Sequence, residues 1–277
     1  MKKIKYLIII LICCSAIIFV FESYKTYFMK NTNFSTDSIF LKIPTNASKV
    51  QLLDTLSNYL LNMDTFEKAA IKKDYFLNIR AGRFKINKDD SNNKIINSLR
   101  SNNIPLKVTF NNIETLNNLA GVISKKIEAD SASIVMAFKD KIFLNDLNLD
   151  EDSVFGLFIP NTYEFFWNTD AVGFRDRILK EFDNFWNDNR IEKIKKINLN
   201  PIEVMVLASI VQKETPKVDE RPTISGVYLN RLRKKMKLQA DPTVIYSIKQ
   251  KQGFDKVIRR VLYKDLRIKS KYNTYYY

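Results

Sequence analysis

The stretch Ile202-Glu203-Val204-Met205-Val206-Leu207-Ala208-Ser209-Ile210-Val211-Gln212-Lys213-Glu214-Thr215 is an apolar run that closes on a carboxylate. Its apolar residues fall nearly all round a helical wheel, which predicts a buried helix. Leu207, Ile210, Val211 and Glu214 recur at i, i+3, i+4 and i+7, so Glu214 extends a core-facing stripe. A carboxyl held against apolar walls loses hydration and its pKa rises, which makes a general acid usable near neutral pH. The same spacing fits a plainer reading, in which Glu214 only marks the solvated C-terminal end of a core helix.

Composition narrows the chemistry available around that carboxylate. The 277-residue chain carries 45 Lys and Arg against 30 Asp and Glu, a formal net charge of +15, and no histidine. Without histidine there is no Ser-His-Asp triad, no Cys-His dyad and no histidine-ligated metal site. The only cysteines, Cys13 and Cys14, sit in the apolar N-terminal run, so the remainder lacks thiol nucleophiles, cysteine zinc sites and disulfides. No glycine-rich phosphate loop is present among the six glycines. Acid–base chemistry falls to Asp, Glu, Lys or Tyr, and no cofactor or metal is expected. The positive charge points to an anionic neighbour, yet the basic residues are spread out rather than interleaved with aromatics. Nucleic acid is therefore not an expected partner.

The N-terminus reads as a membrane device. Lys2, Lys3 and Lys5 precede Tyr6 to Phe21, sixteen residues with only Tyr6 and Ser15 as polar interruptions. The run is near the shortest that spans a bilayer, and Ile4 and the lysine stems extend it. No small-x-small cleavage site follows Phe21, and Ile12 before Cys13 fits poorly with a lipoprotein site. An uncleaved signal anchor over residues 1–30 is favoured over a removed signal peptide. The flanking lysines place the N-terminus in the cytoplasm and the later residues outside it, as a single-pass protein of the inner membrane.

Beyond the anchor, Asn31 to Ser38 reads as a short polar linker. Ile39–Pro44 is a proline-stopped strand, and Ser48–Leu61 and Thr65–Asp74 carry a helical period. Ala81–Ile86 returns as a strand and Asn92–Arg100 as a helix. This strand–helix–helix–strand order predicts a small α/β module at residues 38–105. Leu106–Phe110 opens a further strand, with helices at 113–127 and 131–138. Gly156–Phe165 reads as a proline-fixed turn packing aromatics onto the core. Amphipathic helices follow at 172–187 and, after the Glu214 helix, at 223–235. The expected class is α+β.

Five elements, met in order, resemble the YceG-like (MltG) endolytic murein transglycosylases. Gly82-Arg83-Phe84 is similar to the glycine–aromatic turn of that family's LysM-like module. Gly156-x-Phe158-x-Pro160-x-Thr162-Tyr163 is similar to its E-G-x-x-x-P-x-T-Y element, and Ala208–Thr215 to its catalytic helix. Val227–Leu232 with Leu238–Tyr246, and finally Tyr272–Tyr275, complete the series. The resemblance implies an N-terminal transmembrane helix, a LysM-like module at 38–105 and a mixed α/β YceG-like catalytic domain at 106–277. It departs at three places. Phe155 stands where relatives carry an acidic residue, and Gln212 where many carry Glu. Relatives also continue through a Gly-Leu-Pro-Pro-Gly segment where this chain stops at Tyr277, so the C-terminal part of the catalytic domain is expected to be missing.

The family's catalytic glutamate aligns with Glu214. The resemblance implies a lytic transglycosylase in which Glu214 protonates the oxygen of the β-1,4 bond between N-acetylmuramic acid and N-acetylglucosamine. The carboxylate then takes the proton of the muramyl C6 hydroxyl as that oxygen closes onto C1, leaving a 1,6-anhydromuramyl end. It also places Gln239, Asp241 and Asn273 around the sugar or around Glu214. On residue chemistry alone, Asp241 before Pro242 reads equally as a helix N-cap, and Gln239 and Asn273 as groups that satisfy buried backbone. The partners implied are nascent peptidoglycan strands, whose elongation cleavage would end, together with peptidoglycan synthases and the inner membrane. The competing reading is a non-catalytic glycan-binding scaffold of the wall-synthesis machinery.

Overall fold

The computed structural model describes residues 2–101 and 103–277, without the side chains of Lys2 and Lys3. Met1, in the expected anchor, and Asn102, in the expected module, lie outside the described residues. Helix α1 (Lys2–Phe28) opens the chain as one uninterrupted element. Its Ile4–Phe28 stretch is long and apolar enough to cross a membrane, and its apolar window is not buried against the rest of the chain. A single-pass anchor has these properties, and a signal sequence shares them.

The packing divides the chain into two compact units, residues 1–109 with 121–131 and 162–170, and residues 110–120 with 132–161 and 171–277. In the first unit β1 (Ser38–Ile43) and β2 (Gly82–Asn87) pair antiparallel, with Ser38 opposite Asn87 and Ile43 opposite Gly82. Strand alternation turns Leu41, Ile43, Phe84 and Ile86 inward and leaves Lys42 and Lys85 exposed. Helices α2 (Lys49–Ser57), α3 (Met63–Lys72) and α4 (Asn92–Ser101) share this core through Leu52, Leu56, Phe66, Ile95, Ile96 and Leu99. Ser48 starts α2 in a capping box with Gln51, and Asn62 caps α3. Gly82 has φ 147°, and a Cβ there would stand 2.5 Å from the Asn103 side-chain amide, so the turn requires glycine.

The segment expected as a linker is packed at its start, while Asn33 and Ser35 to Asp37 are exposed. Asn31 and Thr32 are buried, and the Asn31 amide donates to Asn62 O at 2.8 Å and to Asn92 Oδ1 at 2.6 Å. Asn92 in turn donates to Thr26 O, at 2.8 Å, inside α1. Polar composition misled here because each amide satisfies a backbone group that burial would otherwise strand. Strands β3 (Leu106–Phe110) and β4 (Asn161–Phe165) form a second pair, with the Thr109 and Thr162 hydroxyls 2.8 Å apart. The segment expected as a turn at 156–165 therefore ends in a strand, whose Tyr163 and Phe165 alternate inward.

The later elements are α5 (Leu116–Ile123), α6 (Ser131–Phe138), α7 (Lys141–Asp146), α8 (Ala171–Phe185), α9 (Asp188–Lys195), α10 (Pro201–Glu214), α11 (Arg221–Arg233) and α12 (Asp241–Gln252). In the second unit Phe138 meets Phe158, Phe174 and Phe143 at ring separations of 4.6, 6.0 and 6.1 Å. Phe155 joins this cluster 5.4 Å from Phe158, which gives an apolar ring at that position a place to pack. Gly156 lets the same turn approach α10 closely, since a Cβ there would stand 3.1 Å from Ile202.

Candidate functional site

Helix α10 is set by its ends. Asn200 accepts from Glu203 N while Glu203 accepts from Asn200 N, a capping box, and Pro201 takes the first helical position where no N–H is needed. The helix is not buried all round. Only Leu207 and Val211 are fully covered, packed with Tyr228 and Ala240, whereas Val206 is half exposed and Ala208 and Ser209 face solvent. Glu214 is exposed as well, so it leaves the stripe it was expected to extend. The neighbouring elements cover one side of α10, and Gln212, Lys213 and Glu214 in its last turn are exposed. That places Glu214 where a ligand can reach it.

Its carboxylate is nevertheless held. The Tyr228 hydroxyl, on α11, donates to Glu214 Oε2 at 3.0 Å. Burial pushes the Tyr228 phenol well above its ordinary range, and the Glu214 carboxylate and the Tyr275 phenol add to this against an opposing effect of Arg231. Tyr228 is thus a proton-bearing donor at every pH of interest.

The turn that carries Glu214 is fastened to residues 112–114. Gln212 Nε2 donates to Asn112 Oδ1 at 2.7 Å, and Lys213 Nζ bonds Glu114 Oε1 at 2.7 Å. Lys249 of α12 takes the other Glu114 oxygen at 2.8 Å. Burial alone would raise the Glu114 pKa, but the hydrogen bonds and charges of the two lysines outweigh it and hold it below the usual carboxylate range. The amide at Gln212 supplies a donor that a glutamate there would lack.

Of the other expected site residues, Gln239 and Asp241 are exposed, and the Tyr275 phenol feels the charges of both Asp241 and Glu214. Gln239 adopts φ 54°, its N–H donates to Thr274 O at 3.0 Å, and its Oε1 accepts from Arg231. Asp241 is not the cap of α12. Ala240 holds that position, Pro242 is the second helical residue, and Asp241 accepts from the Tyr275 hydroxyl at 2.7 Å instead. That bond, with burial and the charges of Asp241 and Glu214, pushes Tyr275 up to about 12. Asn273 is completely buried. It donates to Leu266 O and Ile268 O at 3.0 and 2.8 Å and accepts from Tyr275 N, so it fixes the turn that presents Tyr275 without facing a ligand.

The structure therefore gathers Glu214, Gln239 and Asp241 and adds Tyr228, Tyr275 and Arg231, which sequence reasoning did not place at the site. Both tyrosines lie in recognisable segments, but nothing in a sequence tells where a phenol points. Two hydroxyl–carboxylate pairs whose carboxylates are exposed can supply and accept protons and hydrogen-bond a polyhydroxylated ligand.

Comparison with known proteins gives the family of the chain. The profile of the YceG-like family matches residues 41–277. An endolytic murein transglycosylase of Bacillus subtilis is 26% identical over 261 residues, covering 87% of this chain and 70% of the relative. That of Streptococcus pneumoniae (strain D39) is 32% identical over 120 residues, 43% of this chain and 21% of the relative. The crystal structure of a yceG-like protein from Listeria monocytogenes superposes with a TM-score of 0.54 at 23% identity, over 88% of this chain and 84% of that one. The fold is shared.

Proposed function

Because the chain belongs to the YceG-like family, we propose that it is an endolytic murein transglycosylase held at the inner membrane by α1, with Glu214 as its acid and base. The observation that carries the reading is Glu214 itself, which ends α10 in solvent with one oxygen held by the Tyr228 hydroxyl. A glycosidase of the ordinary kind needs two carboxylates flanking the bond. Here one suffices. Protonated Glu214 gives its proton to the oxygen joining N-acetylmuramic acid to N-acetylglucosamine, and the C1–O bond breaks. The carboxylate then takes the proton of the muramyl C6 hydroxyl as that oxygen bonds to C1. The proton count closes on a 1,6-anhydromuramyl end, with no water consumed.

Gln239 and Asp241 rim the sugar site, while Asn273 serves as a positioning residue through the turn it holds. The strand–helix–helix–strand order of the first unit supports a LysM-like, glycan-binding role for residues 38–105. The lysines before Ile4 support a cytoplasmic N-terminus with the units outside.

The test is Glu214→Gln, isosteric but unable to transfer a proton. Mass spectrometry of digested peptidoglycan should show anhydromuramyl ends from internal positions reduced about 10²–10⁴-fold, with the fold unchanged. Undiminished product would remove Glu214 from the role. Intact binding to glycan with no cleavage by the unaltered protein would leave the scaffold reading. Reducing muramic acid ends would mean hydrolysis.

A further inference from the structure

We infer that the lower end of the first unit, around Lys68, Ile71, Lys72 and Leu77, docks onto the anionic headgroups of the membrane that α1 enters. The inference rests on α1 being an anchor. Asn92 ties α3 to α1 at one level, bonding Thr26 O at 2.8 Å and Thr65 Oγ1 at 3.2 Å. At another level Lys72 Nζ lies 5.8 Å from the centre of the Phe19 ring. Thr65 to Lys72 thus runs alongside Thr26 to Phe19, so α3 packs antiparallel to α1 and points about 10 Å back along it.

That direction leads into the bilayer surface. A hydrocarbon core about 30 Å thick takes about 20 helical residues. Counted from Ile4, where the apolar stretch begins, such a core ends near Ser23 and leaves Phe19 about 6 Å inside its outer boundary. The Lys72 ammonium therefore reaches headgroup depth with its stem along the apolar edge, the geometry of a snorkelling lysine. One turn back on the same face stands Lys68, with Ile71 between them. Leu77 follows α3 in the chain and is 85% exposed, and Ile71 is 54% exposed. Exposed apolar side chains mixed with lysines suit the boundary between acyl chains and anionic headgroups. Of the acids nearby, Asp64 lies at the far end of α3, Glu67 is paired with Lys49 at 2.5 Å, and the exposed Asp74 is outnumbered by Lys68, Lys72 and Lys73. No slack exists to lift the unit away, since Asn31 and Thr32 are buried directly after α1.

The experiment uses the full chain with Cys13→Ala and Cys14→Ala, reconstituted in vesicles with or without phosphatidylglycerol. A fluorophore is placed at Ile71→Cys or, as reference, at Leu61→Cys just before the other end of α3, and is quenched by headgroup nitroxide lipids. The Ile71 label should be quenched about threefold more than the Leu61 label in anionic vesicles, and the excess should fall away with Lys68→Glu plus Lys72→Glu or without phosphatidylglycerol. Equal quenching of the two labels in vesicle-bound protein overturns the docking. Excess quenching that ignores both lipid charge and the lysine changes overturns the anionic selection. Proximity between Ile71 labels of two copies, without quenching by lipid, would assign the face to self-association and equally overturn it. Loss of the protein from the vesicles altogether would instead refute α1 as anchor, which separates the two failures.

Discussion

A phenol that donates to one oxygen of a carboxylate sets which oxygen remains for a ligand. Tyr228 holds Oε2 of Glu214, so in the proposed mechanism Oε1 is the oxygen left for the glycosidic oxygen. A hydrogen bond to a charged group contributes about 1.5–3 kcal/mol, so Tyr228→Phe is expected to lower kcat about tenfold or more. KM should move little, because the phenol orients the acid without holding the sugar. A rise in KM at constant kcat would place Tyr228 in binding instead. The end of α10 at Glu214 was legible because the helix has a period that can be counted, whereas the role of the carboxylate came from the resemblance and not from the spacing. Tyr228 and Tyr275 were not, since only the packing of α11 and the Asn273 turn aims their hydroxyls. Asp241 shows the same limit from the other side. The Asp-Pro pair predicted a helix start correctly, but the cap fell one residue earlier and the carboxylate turned to Tyr275.

At the scale of elements, the helix bearing the acid is fixed by a carboxylate that two lysines share. Glu114 has a folded pKa held below its unfolded value of about 4.3. Its pairs with Lys213 and Lys249 therefore stabilise the fold above that value, and the contribution is lost as pH falls through the folded pKa. Thermal melting in mild detergent should show Glu114→Gln less stable than the unaltered chain by a constant margin above about pH 5, narrowing on acidification. A margin that stays the same down to pH 3 would rule the ion pairs out as its source. Elements with a strong period, such as α8 with Phe174, Ile178 and Phe182 buried, were readable from sequence. The helices α7 and α9 and the strand β4 were not, because α7 has only six residues, α9 buries only Ile194, and β4 follows directly on Pro160 in a stretch that reads as a turn. For α10 the apolar pattern overstated burial. Apolar residues on every side record what a helix could bury, and the packing here covers Leu207 and Val211.

Across the whole molecule, the lysines at the start of an uninterrupted α1 set the orientation to be tested. A reporter fused after Lys30 should be active only in an extracytoplasmic compartment, and cytoplasmic activity would remove the wall polymer as substrate. The clamp around Glu214 also fixes an order of events during biogenesis. Gln212 finds Asn112 across 100 residues of sequence, and Lys249 finds Glu114 across 135. Contacts so remote along the chain close late, after the entropy of large loops has been overcome. A polypeptide emerging N-terminus first holds Glu114 long before it holds Lys213 and Lys249, so the full seat of Glu214 is assembled only after both α10 and α12 have been made. On the proposed mechanism, a chain released before α12 is complete would carry its acid without the second lysine that seats it.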